Sequence, residues 1–61
     1  RDAMTPTEAR QKLQELEMRI IHLQDRKYDA VMELDYDKAV QLRDEAYQIR
    51  LESFKIIVEY L

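Results

Sequence analysis

The 61-residue sequence has no cysteine and no glycine, one proline and one histidine. Without cysteine it has no disulfides, no thiolate metal site and no thiol chemistry. A single histidine, His22, is too few for a histidine metal cage. Without glycine there is no phosphate-cradling loop and no tight primed hairpin turn. Long hydrophobic runs are also missing. The most apolar stretch, Phe54 to Leu61, carries Lys55 and Glu59 and is too short to span a bilayer. The net charge of -3 argues against a dedicated nucleic-acid surface, which would be basic. No segment reads as a secretion signal, and a chain opening on Arg1 is expected to be a piece of a longer one. The expected location is the cytoplasm, which the lack of cysteine fits.

What is present is helix-forming. The chain is 38% charged and 46% hydrophobic, rich in Leu, Ile, Ala, Glu, Gln, Lys and Arg, and too apolar for disorder. A domain of this size buries only about 60% of its unfolded surface, so its own core is marginal. Such domains usually rely on disulfides, a metal or another chain. With the first two removed by composition, another chain is the expected support, and enzymatic activity is not expected.

The first helix has a well-marked start. Thr5-Pro6-Thr7-Glu8 puts Thr5 at the N-cap, Pro6 at the first helical position and Glu8 where it closes a capping box. From there Ala9, Leu13, Leu16, Ile20, Leu23, Ala30 and Leu34 follow alternating steps of four and three, with Lys27 in the one polar slot. Ile21, Tyr28 and Val31 form a second line beside this seam. The C-terminal half repeats the arrangement. Its seam runs through Ala39, Leu42, Ala46, Ile49, Ser53, Ile56 and Tyr60, and its second line through Tyr36, Val40, Tyr47, Phe54, Ile57 and Leu61, with Arg43 and Arg50 between. Two adjacent lines make a stripe wider than a two-stranded coiled coil requires, which suits packing against more than one neighbour.

The two seams are out of phase. Carrying the first forward from Leu34 reaches Asp37, Gln41, Asp44 and Gln48, all polar. A break at Glu33-Leu34-Asp35 explains the jump, with Asp35 capping the second helix and Asp37 in its first turn. The chain then divides into a lead-in and N-cap at 1–5 and one helical-hairpin domain at 6–61, comprising helix 6–32, turn 33–35 and helix 36–60. The expected fold is all-α: an antiparallel, coiled-coil-like helical hairpin that dimerises into a four-helix assembly. With no Gly or Pro at the break, one continuous helix with a phase shift reads the same way.

No constellation carries chemistry. Glu33, Asp35 and Asp37 lack the Gly and the distal bidentate Glu of a calcium loop, and have no His or nucleophile beside them. Helix capping accounts for them. His22 points away from the seam and reads as solvated. Arg43 and Arg50 share a line with Tyr36, Tyr47 and Phe54, residue types enriched at interface hot spots. Asp44, Glu45 and Glu52 alternate with the arginines and interrupt any continuous positive field, so direct nucleic-acid contact is not expected. Phe54, Ile56, Ile57, Val58, Tyr60 and Leu61 point nearly all the way round the helix, more than one partner helix covers. The expected partner contacts are therefore Tyr36, Arg43, Tyr47, Arg50, Phe54, Ile57 and Leu61. The expected hairpin core is Leu13, Leu16, Ile20, Leu23, Leu42 and Ile49. No catalytic, metal or cofactor-binding residue is expected, and no membrane.

Leu34-Asp35-Tyr36-Asp37-Lys38-Ala39-Val40-Gln41-Leu42-Arg43-Asp44-Glu45 resembles the UVR domain. This helical hairpin occurs at the C-terminus of the excision-repair helicase UvrB, within the nuclease UvrC, and in some ClpC-type unfoldases and their adaptors. Leu34, Asp35, Tyr36, Asp37, Ala39, Leu42, Arg43, Asp44 and Ile49 fit the family pattern. Val40 replaces the second Ala, and Ala46 stands where a larger aliphatic is usual. Thr5-Pro6 followed by Lys12-Leu13-Gln14-Glu15-Leu16-Glu17 also resembles the start of the UvrB version, with the first helix longer by about one heptad. The resemblance implies non-catalytic protein–protein docking, as a homodimer or as a heterodimer with a homologous hairpin. The alternative is a structural coiled-coil or oligomerisation segment of a larger scaffold unrelated to DNA repair.

Overall fold

The computed structural model describes residues 4–60. It consists of two helices, α1 over Pro6–Met32 and α2 over Tyr36–Tyr60, packed along each other as an antiparallel hairpin about 44 Å long. The continuous-helix alternative is thereby set aside. The other members of the lead-in, Arg1–Ala3, lie outside the described residues, as does Leu61.

Local chemistry sets both ends of α1. Thr5 sits at the N-cap with extended backbone; its Oγ1 accepts from the Glu8 N–H at 3.2 Å and its own N–H donates to Glu8 Oε1 at 2.9 Å. Two first-turn amides are satisfied in one reciprocal box. Met4, just before the cap, is half-buried and packs on the core. There it acts as a hydrophobic staple toward Ala9.

The turn works without glycine. The Leu34 N–H donates to the Val31 carbonyl at 3.0 Å and the Asp35 N–H to the Ala30 carbonyl at 2.8 Å. This pair of bonds is a Schellman cap, which needs a left-handed residue at its hinge. Leu34 supplies it with φ 63°, in a region that costs a residue bearing a Cβ roughly 1–2 kcal/mol. Asp35 then starts the next helix, its Oδ1 accepting from the Lys38 N–H at 3.2 Å. One short segment thus ends α1, reverses the chain and caps α2.

The core is the two seams closed on each other: Ala9, Leu16, Leu23 and Ala30 from α1 with Ala39, Leu42, Ala46, Ile49 and Ile56 from α2. Both helices leave the same turn, so residues at equal distance from it face each other. That register sets Leu23 against Ala46, Leu16 against Ser53 and Ala9 against Tyr60, and between them Ile20 against Ile49 and Leu13 against Ile56, so layers with a small member alternate with layers of two large ones. The polar Ser53 is accommodated because its hydroxyl donates to the Ile49 carbonyl at 3.0 Å.

Four of the expected core residues, Leu16, Leu23, Leu42 and Ile49, are buried in this cluster. Leu13 and Ile20 differ: they are half-buried and pack against its edge. A two-helix pair has no third neighbour to close over them.

Candidate docking face

The seam residues lie between two flanks of the hairpin, and heptad geometry decides what each shows. In an antiparallel pair, the position directly following each seam residue falls on the same side of both helices. On that side α1 presents Ile21, Tyr28 and Val31, and α2 presents Tyr36, Val40, Tyr47, Phe54 and Ile57. All eight are exposed, from 42% at Val31 to 65% at Phe54. A shallow cleft lined by Gln24, Lys27, Arg43, Ala46, Tyr47 and Arg50 lies on this flank, which confirms that the two second lines share one side.

The expected contact residues fall here. Tyr36, Tyr47, Phe54 and Ile57 are exposed on the flank, and Arg43 and Arg50 stand among them. Arg43 is held by its neighbour: its Nε and Nη2 donate to Asp44 Oδ1 at 3.2 and 3.0 Å. Leu61 lies outside the described residues. Ile21, Tyr28, Val31 and Val40, which the expected contact set does not name, are exposed on the same flank. The signal was in the second line of each helix, but only the antiparallel geometry brings the α1 line beside the α2 line.

The opposite flank is charged. A groove there is lined by Glu15, Met18, Arg19, His22, Leu23, Arg26 and Glu45. The same seven-residue spacing puts Lys12 with Arg19 and Arg26 on α1, and Glu52 and Glu59 with Glu45 on α2. His22 is exposed here, on the side away from the apolar residues.

Chemistry beyond contact has little to work with. Among the described residues there is no group of three or more His, Cys, Asp or Glu side chains placed to hold a metal, and no buried polar or charged residue. Asp35 is committed to capping. Among the described residues no helix is long and apolar enough to cross a membrane.

No curated protein and no solved structure matches the chain. The family model described as the UvrB/uvrC motif matches residues 17–52. That span covers the second half of α1, the turn and most of α2, and leaves Phe54 and Ile57 just beyond it. The preceding helical turns from Pro6 to Leu16 make α1 longer than the matched segment, as the expected extra length requires. With more than half of the chain inside the match and the helical hairpin in place, the chain belongs to the UVR family, as an interaction module of the UvrB/UvrC type.

Proposed function

We propose that this chain is a non-catalytic docking module that pairs with another hairpin of its own kind through the apolar flank, giving a four-helix assembly. The observation that carries the reading is the size of that flank. Eight side chains with 42–65% of their surface exposed, taking side chains of about 150–250 Å², amount to roughly 900 Å². The largest apolar patch on a typical monomer is about 300–600 Å², whereas each partner in a standard interface gives up about 800 Å². Another hairpin suits this surface because it offers a matching pair of helices with a second apolar line on one side. Burial of the paired stripes then drives association, and the flanking charges set register and partner choice.

The setting we propose is the cytoplasm, where a chain without cysteine needs no oxidising compartment. The family's occurrence in UvrB and UvrC makes DNA excision repair the first place to look for the partner hairpin. The test is binding of a fluorescently labelled chain to itself and to hairpin segments of UvrB and UvrC. The expected result is saturable binding to at least one of these that Phe54→Ser abolishes. Binding to none, or binding indifferent to Phe54→Ser, contradicts the reading.

A further inference from the structure

We propose that the cleft between Lys27, Arg43 and Arg50 is a binding site for a single phosphate dianion, either free or carried as a monoester on the side chain of another protein. The inference goes beyond the docking reading and does not rest on it, because the cleft is open to solvent in the single hairpin.

The hairpin gathers three cations where no carboxylate lines the space between them. Gln24 and Lys27, one turn apart on α1, face Arg43, Ala46, Tyr47 and Arg50 on α2, and these six residues line a cavity of about 130 Å³. Its floor is the small, buried Ala46. Lys27 occupies the polar slot of the α1 seam and is half-buried. A lysine so placed lays its stem along apolar surface and keeps its charged head at the water.

The cations are short of partners. Neither Lys27 nor Arg50 makes an ion pair among the described residues. Arg43 donates Nε and Nη2 to Asp44 Oδ1 at 3.2 and 3.0 Å, which leaves its Nη1 to a ligand. Three cations against the one carboxylate of Asp44 leave two positive charges at the cleft.

That charge and size select the ligand. A phosphate monoester carries about -1.5 to -2 at pH 7 and three strong acceptor oxygens. Two guanidinium groups, an ammonium, the Gln24 amide and the Tyr47 hydroxyl are donors suited to them. The space equals that of about four waters at roughly 30 Å³ each, which suits a tetrahedral oxyanion. A nucleic-acid strand fits worse, since its successive phosphates would come against Asp44, Glu45 and Glu52 on the same helix.

The test is an NMR titration of the full chain with inorganic phosphate and, separately, with phenyl phosphate, using sodium chloride at equal ionic strength as reference. Saturable shifts are expected at the Gln24 side-chain amide and at the backbone amides of Lys27, Ala46, Tyr47 and Arg50. Lys27→Gln and Arg50→Gln should each weaken binding about 3- to 10-fold, and the double variant should abolish saturation. Both keep good helix formers, so circular dichroism should show unchanged helix content. Arg19→Gln with Arg26→Gln removes as much charge from the opposite flank and should bind phosphate as the native chain does.

Tighter binding of phenyl phosphate than of inorganic phosphate supports the site and assigns it to a phosphorylated aromatic side chain. Equal or weaker binding of phenyl phosphate supports the site and assigns it to the free ion. Absence of saturable shifts, shifts that chloride reproduces, or an equal loss in the opposite-flank variant each overturn the inference.

Discussion

One flank of the hairpin shows Ile21, Tyr28, Val31, Val40, Tyr47 and Phe54 to solvent, and the other shows Lys12, Arg19 and Arg26 beside Glu45, Glu52 and Glu59. Both are built on the same heptad, one residue to either side of a shared seam. The charged flank is complete as it stands. Its long charged side chains keep their heads hydrated, and Arg19 and Arg26 of α1 line one groove with Glu45 of α2. The apolar flank is incomplete, because aromatic rings at about 60% exposure keep apolar surface in water that burial against a partner would remove. The seam holds the hairpin together, and the flanks decide which of its sides another chain meets.

That contrast can be broken or sharpened by substitution. The largest effect should come from the seam, which supports both flanks. Leu16 has no exposed surface, so Leu16→Ala should lower hairpin stability by about 2–5 kcal/mol in chemical unfolding followed by circular dichroism. Next comes the apolar flank itself. Phe54→Ser with Ile57→Ser should weaken association about 100-fold, as expected for truncated hot-spot residues, and leave helix content unchanged.

Smaller effects belong to the turn, which sets the levels of both flanks. Asp35→Ala removes the acceptor for the Lys38 amide and should cost about 1 kcal/mol in thermal unfolding. Leu34→Gly relieves the left-handed strain and should stabilise the hairpin by about 0.5–1 kcal/mol. Least of all should be the charged flank. Glu45→Ser with Glu52→Ser should change stability by less than about 1 kcal/mol, with an effect that fades as salt is added.

The sequence carried the helix starts, the seams and the break because each has a local physical signature. Thr5, Pro6 and Glu8 form a capping box with no help from distant residues. The steps of three and four through Leu16 and Leu23, and through Leu42 and Ile49, repeat what a helix buries on one side. The turn was legible through the phase jump at Leu34 and not through composition, since the hinge residue is a leucine where glycine is usual.

What escaped the sequence is what depends on the other helix. Met4 packs on the core although it precedes the cap, because α2 reaches that far along the hairpin. Leu13 and Ile20 continue the seam pattern without a flaw, yet stay half-exposed for want of a third helix. Ile21, Tyr28 and Val31 join the α2 aromatics on one flank only once the hairpin closes.

The most direct test of the central claim is sedimentation equilibrium of the native chain from low micromolar to near-millimolar concentration. It should be run beside the apolar-flank variant Phe54→Ser/Ile57→Ser and the charged-flank variant Glu45→Ser/Glu52→Ser. The account predicts a reversible dimer for the native chain and the charged-flank variant, and a monomer for the apolar-flank variant. A native chain that is monomeric throughout contradicts self-docking, and a dimer lost with the charged flank and kept without Phe54 and Ile57 contradicts the assignment of the docking face.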